Sequence, residues 1–153
     1  MIQYRYAEFW AHCRPHCSGH QMHFDSDDEG RDGIRNPIIS TVLYLNDYLG
    51  GPTLVTNQSL TSDKLANKGW MVFPKRNRLC MFDGKMLHGV IPGRGPTMNR
   101  DSRRITLMLA FWKDIKERDA PEKGSCRKFP SDDHPKYSWH KMFDFGDEID
   151  DKI

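Results

Sequence analysis

Three side chains that are far apart in the sequence could together bind a metal ion: His23, Asp25 and His88. Two imidazoles and one carboxylate on one face of a metal leave three positions open, which suits Fe(II) that reacts with O2 beside a cosubstrate. Residues i and i+2 of a strand point to the same side, so His23 and Asp25 would both face inward while Phe24 faces away. His88 completes the set only if the fold brings two distant strands together.

The His-x-Asp pair has a second interpretation when it is taken alone. With 7 His and 21 acidic residues in the chain, one such pair is a weak motif. His23 could instead be a surface histidine beside the acidic run from Asp25 to Asp32. The choice between the two depends on the segments that follow.

The cysteines offer another candidate metal site, because two of them lie among three histidines: Cys13 and Cys17 with His12, His16 and His20. No second Cys/His pair follows at zinc-finger spacing and Cys126 is remote, so the sequence disfavours a zinc site. Cys80 lies in an apolar run and is predicted to be in the core. The four cysteines form no disulfide framework, which indicates a reduced intracellular protein, with the cytoplasm as the expected compartment.

Composition excludes several classes of protein. The 153 residues are 37% hydrophobic and 29% charged, as in a globular protein with a polar surface. No run of 18 apolar residues predicts a membrane span, and the N-terminus lacks the basic and apolar segments of a signal peptide. The formal net charge of +2, with both signs interspersed, does not suggest a nucleic-acid surface.

Short strand-like runs separated by turn-rich pieces dominate the chain up to about residue 112. This pattern predicts a mainly β protein, a closed or sandwiched architecture such as a barrel or jelly roll. The run Ile38–Leu45 is almost continuously apolar, as in a central strand. The predicted strands are Ile2–Trp10, His20–Phe24, Ile38–Leu45, Thr53–Thr56, Gly69–Phe73, Leu79–Phe82, His88–Ile91 and Arg104–Trp112.

Residues 113–153 have a different composition and are predicted to form a C-terminal extension to a domain of residues 1–112. Lys113–Asp119 is predicted to be a short helical turn. Beyond it Asp, Lys, Pro and Gly dominate, with isolated aromatic residues such as Trp139 and Phe143. We expect this mostly irregular tail to pack on the barrel or to be partly disordered.

Further motifs accompany the triad in a fixed order, namely Thr41–Asp47 followed by Gly50-Gly51, Gly69–Phe82 leading into Leu87–Pro92, and Arg103–Trp112. With the triad, residues 2–112 resemble the Fe(II)/2-oxoglutarate-dependent dioxygenases, and most of all the branch that includes prolyl 4-hydroxylases. The resemblance implies a double-stranded β-helix, a jelly-roll or cupin-like barrel of eight strands. It also implies that His23, Asp25 and His88 bind the iron.

The resemblance further implies a cosubstrate site around an arginine on the last strand. Arg104 followed by Thr106 fits the family pattern, with Arg103 then pointing outward. An arginine suits this place because its planar fork can bind a carboxylate in a bidentate manner. Tyr44 matches a tyrosine whose hydroxyl bonds the same carboxylate, although it could simply be a core residue.

The implied reaction consumes 2-oxoglutarate and O2, releases succinate and CO2, and hydroxylates a C–H bond of a peptidyl residue or small molecule. The metal carboxylate Asp25 argues against a halogenase, and Ala110 lacks the second arginine of AlkB-type nucleic-acid demethylases. The segments Ser26–Asn36 and Gly93–Ser102 are expected to contact the substrate. Two alternatives are a catalytically silent β-helix that serves as a binding module and a cupin-like metal enzyme without 2-oxoglutarate, which would not need Arg104.

Overall fold

The computed structural model describes residues 4–27, 33–94 and 102–116, and this part of the chain is built from strands. The prediction of a mainly β protein is confirmed. Among the described residues, no helix has the length and apolar character needed to cross a membrane. The eight strands are β1 (Tyr6–Pro15), β2 (His20–His23), β3 (Ile39–Tyr44), β4 (Thr53–Ser59), β5 (Gly69–Val72), β6 (Leu79–Asp83), β7 (Met86–Val90) and β8 (Arg103–Trp112).

The strands form two four-stranded sheets in which every observed pairing is antiparallel. The first sheet has the order β1-β8-β3-β6 and the second the order β2-β7-β4-β5. Strand β3 lies between β8 and β6, which confirms that the apolar run around it is a central strand. Sequence-distant strands are therefore neighbours in both sheets, consistent with a jelly-roll-like sandwich.

The core lies between the inward faces of the sheets. Val42, Tyr44 and Met108 of the first sheet are buried, and Val72 of the second sheet packs against them. Cys80 also packs on this cluster, so its predicted core position is confirmed. Strand alternation produces this buried face, because successive side chains of a strand point to opposite sides of the sheet. Strand β8 shows it most clearly, since every second residue from Arg104 to Trp112 is buried.

The first strand differs from its predicted limits. Residues 1–3 lie outside the described range, and β1 begins at Tyr6 and continues to Pro15 rather than ending at Trp10. All ten of its residues pair with β8, from Tyr6 opposite Trp112 to Pro15 opposite Arg103. The length of the partner strand thus sets the length of β1. The prediction ended too early because the inward positions of its second half carry polar residues.

The predicted helical turn after β8 is wrong in the part that the structure describes, since residues 113–114 form a bend and residues 115–116 are irregular. The backbone N–H of Lys116 donates to Oδ2 of Asp27 at 2.8 Å and fixes this bend locally. Residues 117–153, which hold nearly all of the predicted extension, lie outside the described residues. The division at residue 112 stays a prediction.

Candidate metal centre and anion pocket

The three triad residues converge from two strands of the second sheet and the segment that follows β2. His23, the last residue of β2, lies directly opposite His88 of β7. Asp25 follows two residues later, and its Oδ1 is 3.5 Å from Nε2 of His23 and 3.4 Å from Nε2 of His88. One ligand atom from each residue lies within 4.8 Å of the others, so the group could hold a metal ion.

Both histidines are oriented by their own strands. Nδ1 of His23 lies 2.9 Å from the carbonyl oxygen of Gln21, and Nδ1 of His88 lies 3.0 Å from that of Met86. A carbonyl only accepts, so each Nδ1 carries the proton and each Nε2 keeps its lone pair. This is the tautomer that a metal bound at Nε2 requires.

Asp25 is not a strand residue, which corrects the geometry expected from the sequence. Strand β2 ends at His23, and Asp25 is held by contacts with the following segment instead. Its Oδ2 accepts a hydrogen bond of 2.6 Å from the buried hydroxyl of Ser40, and its backbone carbonyl accepts one of 2.6 Å from Nδ2 of Asn36. Ser40 thereby turns the free oxygen, Oδ1, toward the histidines.

The electrostatics of this cluster favour an ionised carboxylate. Burial by itself would raise the pKa of Asp25, but the nearby imidazoles of His23 and His88 and the hydrogen bond from Ser40 outweigh it and hold that pKa well below its usual range. The carboxylate of Asp25 in turn raises the pKa of His23, against the opposing effect of burial. Without a metal, the carboxylate therefore holds a proton on the neighbouring imidazole more tightly.

One atom of the cluster lacks a partner in the described part of the protein. Nε2 of His88 is buried, and no donor or acceptor there forms a hydrogen bond with it. A buried polar atom without a partner costs about 1–3 kcal/mol. A metal coordinated by Nε2 would satisfy it, so the residues present fit a metal with two imidazoles and one carboxylate as protein ligands.

A second polar cluster surrounds Arg104 between the two sheets. As predicted, Arg104 and Thr106 face inward on β8 while Arg103 is exposed. The guanidinium donates from NH2 to Oγ1 of Thr53 at 2.9 Å, and NH1 lies 3.5 Å from Oγ1 of Thr106. Arg104 is only 3% exposed. We call Arg104, Thr106, Thr53 and Tyr44 the anion pocket.

Tyr44 closes this pocket. Its ring lies under the guanidinium, with Cζ of Arg104 5.2 Å from the ring centroid, which favours the cation. Its hydroxyl lies 2.6 Å from Oγ1 of Thr53 and 2.9 Å from the carbonyl oxygen of Val72. Tyr44 is therefore both a core residue and a polar neighbour of Arg104, so the two interpretations of this residue are compatible.

The charge of Arg104 is not balanced by the described residues. None of their carboxylates forms an ion pair with it, and its buried Nε has no hydrogen-bond partner among them. A buried charge is costly unless it is paired. Gly50 lies against the stem of this side chain, since a Cβ at Gly50 would be 2.6 Å from Cδ of Arg104. The pocket is thus packed around a cation that an anionic ligand could neutralise.

The Cys/His group near the end of β1 does not assemble. Cys13 is an exposed free cysteine on the outer side of β1, and Cys17 is likewise exposed and free. His16 is tied to the backbone, with Nδ1 accepting from the N–H of Gly50 and Nε2 near the carbonyl of Arg94. Within residues 4–27, 33–94 and 102–116, the His23–Asp25–His88 group alone brings metal-ligating atoms together.

Sequence reasoning missed several residues of both clusters. Ser40 interrupts the apolar run Ile38–Leu45, and that polar interruption was the available signal. Thr53 is the first residue of β4, where no such interruption marks it. His20 is 4.6 Å from His23 between ring centroids and lies in the same segment as the triad. One residue has a different role from the expected one. Arg35 lies in a loop that was expected to contact substrate, but it pairs with the buried Asp27 at 2.7 Å.

Comparison with known proteins supports the fold. No protein-family model and no curated protein matches the sequence. Among solved structures, the chain is similar to the crystal structure of a prolyl-4-hydroxylase from Pseudomonas putida, with 21% identity and a TM-score of 0.51. The similarity covers 74% of this chain and 55% of the other, so the chain spans little more than half the length of that protein.

Proposed function

We propose that this protein is a dioxygenase that uses Fe(II), 2-oxoglutarate and O2 to hydroxylate a C–H bond. The observation that carries the proposal is the buried Nε2 of His88, which lies 3.4 Å from Oδ1 of Asp25 and has no hydrogen-bond partner among the described residues. Two neutral imidazoles and one carboxylate are the ligand set of non-heme iron oxygenases. The similarity in fold to a prolyl-4-hydroxylase is consistent with it.

The proposal includes the finer description of the fold. In a double-stranded β-helix the two sheets hold the metal between them, and the ligands come from the inward side of one sheet. The pairing of His23 with His88 across β2 and β7 satisfies this requirement. The inward orientation of Arg104 on β8 of the other sheet supports the same arrangement.

The anion pocket supports 2-oxoglutarate as the cosubstrate. We assign the carboxylate distant from the keto group to the guanidinium of Arg104. The hydroxyls of Thr106 and Tyr44 provide further hydrogen bonds there, with Thr53 holding Arg104 in place. Such a pairing would offset the burial of both charges. A cupin-like enzyme without this cosubstrate would leave the buried arginine unexplained.

In this proposal the reaction converts 2-oxoglutarate, O2 and R–H into succinate, CO2 and R–OH. Bound iron would supply the O2 chemistry and the oxidation of the substrate. His23, Asp25 and His88 would hold the metal and leave three positions open. Ser40, which binds Oδ2 of Asp25, would keep Oδ1 free for the metal, and the apolar core around Tyr44 would exclude water from the cosubstrate end.

The proposal is tested by a succinate-release assay with Fe(II), 2-oxoglutarate and a library of amino acids, peptides and small metabolites. Stimulated, iron-dependent release of succinate and a hydroxylated product by mass spectrometry are the expected results. Calorimetry with Mn(II) in place of iron measures 2-oxoglutarate binding separately from turnover. Binding of neither metal nor 2-oxoglutarate would leave the silent binding module as the better description.

A further inference from the structure

A row of polar side chains continues from the anion pocket to the metal centre along the edge of both sheets. Arg14 lies directly opposite Arg104, and His12 lies opposite Thr106, so both are on the inward face of β1. His20 opens β2, with its ring 5.4 Å from that of His12. Its ring is also 4.6 Å from that of the metal ligand His23. We call Arg14, His12 and His20 the basic row.

The position of Arg14 is unfavourable for the empty protein. Like charges directly opposite each other in an antiparallel pair are destabilising, and Arg14 faces Arg104 in this way. No carboxylate of the described residues pairs with either guanidinium. Two inward arginines without an acid among these residues indicate a site that is completed by an anion.

His12 can act as a neutral donor beside this charge. Nε1 of Trp10 donates to Nε2 of His12 at 3.0 Å, so a neutral His12 carries its proton on Nδ1. Burial and the charge of Arg14 lower the pKa of His12. The row thus presents the cation of Arg14 and an N–H donor from His12.

Exposure separates the row from the pocket assigned to the cosubstrate. Arg104 is 3% exposed and Thr106 is fully buried, whereas Arg14, His12 and His20 are half-buried. A ligand that enters after the cosubstrate would therefore meet the row first. The row also reaches His23, which places it beside the metal where a substrate must lie.

We propose that the basic row binds a carboxylate carried by the substrate, with Arg14 as its ion-pair partner and His12 as a hydrogen-bond donor. The substrate class is thus an organic acid, a free amino acid or a peptide with its carboxylate near the oxidised carbon. This assignment rests on the proposed function, because it gives Arg104 to 2-oxoglutarate and leaves Arg14 for a second anion.

The test measures binding of paired ligands to the full chain loaded with Mn(II) and saturating 2-oxoglutarate. N-acetyl amino acids and dipeptides are titrated as free acids and as their primary amides. We expect free acids to bind roughly ten- to a hundredfold more tightly than their amides. Arg14→Gln should remove that difference, Arg14→Lys should keep part of it, and the exposed control Arg103→Gln should keep all of it.

The proposal is overturned if no acid binds, if acids and amides bind alike, or if Arg14→Gln keeps the preference. A loss of 2-oxoglutarate affinity in Arg14→Gln as large as that in Arg104→Gln would also do so, because Arg14 would then belong to the anion pocket. Acid binding that depends on Arg14 without any succinate release would instead reject the dioxygenase and leave the anion site standing.

A second measurement distinguishes a ligand-binding role of Arg14 from a purely structural role. Removing the repulsion with Arg104 should leave the melting temperature of ligand-free Arg14→Gln equal to or above that of the wild type. A structural role predicts a lower melting temperature and an unchanged ratio of acid to amide affinity. That pair of results would count against the proposal.

Discussion

The metal centre and the anion pocket are built in different ways. The pocket is made entirely by residues of regular strands, with Tyr44 as the last residue of β3 and Arg104 with Thr106 near the start of β8, and its side chains are closed off from solvent. The metal centre uses the end of a strand and a loop, His23 and Asp25, together with His88 from the middle of β7. Regular pairing positions the strand residues of both, whereas the third metal ligand, Asp25, is positioned by a few specific side-chain contacts.

This difference separates two kinds of sensitivity to mutation. In the pocket, strand register fixes where each side chain points, so the loss of one side chain should weaken binding without displacing the others. In the metal centre, Asp25 keeps its position through Ser40 and Asn36. A change in these supports should therefore act on the metal without touching a ligand.

The largest effects are expected from the triad itself. His23→Ala, Asp25→Ala and His88→Ala should each abolish oxygenase activity and leave the fold largely intact, because each removes one of the three protein ligands. Iron content and 2-oxoglutarate turnover are the measurements, with circular dichroism as the check on folding. Wild-type turnover in His88→Ala would end the assignment of the metal centre.

The next effect concerns the anion pocket. Arg104→Ala should weaken 2-oxoglutarate binding far more than Arg103→Ala, because Arg104 is buried and its neighbour is exposed. Leaving a buried carboxylate without its partner costs about 2–5 kcal/mol. Calorimetric titration of 2-oxoglutarate into both variants measures the difference. Equal losses in the two would mean that the pocket does not hold the cosubstrate.

A smaller effect is expected from the support of Asp25. Ser40→Ala should lower metal affinity by about 10- to 100-fold, as is usual when a group that orients a ligand is removed. Thr41→Val is the matched control, because its buried hydroxyl bonds the backbone carbonyl of Leu109 rather than the site. If both variants bind metal with equal affinity, Ser40 does not position Asp25.

Sequence reasoning succeeded where strand alternation alone determines the result. It placed Arg104 and Thr106 inward and Arg103 outward, and it identified β3 as a central strand. It explained the shared side of His23 and Asp25 by strand alternation, but β2 ends at His23, and the hydroxyl of Ser40, 15 residues after Asp25, holds the carboxylate. Contacts of this kind have no local periodicity that could reveal them.

Sequence reasoning also missed how far β1 extends and, with it, the basic row, because both depend on polar residues at inward positions. Inward positions on an edge strand are normally apolar, so Arg14 and His12 were not recognised as continuing the pattern of Trp10. Their inward orientation follows from pairing with β8. The motif around His23 was visible in the sequence, but the tertiary partners that complete its surroundings were not.

The pH dependence should differ between the metal-free and metal-bound protein. Asp25 raises the pKa of His23 above 6.5, and a metal must displace that proton, so metal affinity should fall as the pH is lowered through the raised pKa. Stability of the metal-free protein should change in the opposite sense. Because the folded-state pKa of His23 lies above the unfolded value, protonated His23 contributes stability to the fold. This contribution is fully present below pH 6.5 and is lost as the pH rises through the folded-state pKa.

Melting curves and Mn(II) titrations between about pH 5.5 and 8.5, a range that spans the ordinary histidine pKa, test both trends. His23→Gln is the matched variant, since it cannot take up the proton. The metal-free variant should show a flatter dependence of stability on pH in this range. An equal dependence in variant and wild type would show that another group is responsible.

The smallest effect on either cluster is expected from removing the predicted C-terminal extension. All six residues proposed to bind metal or cosubstrate lie between His23 and Thr106, within strands or loops of the two sheets. A chain that ends at Ala120 should therefore bind Mn(II) and 2-oxoglutarate with nearly unchanged affinity, even if it melts at a lower temperature. Loss of 2-oxoglutarate affinity in a shortened chain that remains folded would show that neither cluster is complete without residues 121–153, and the boundary predicted from composition would then be wrong.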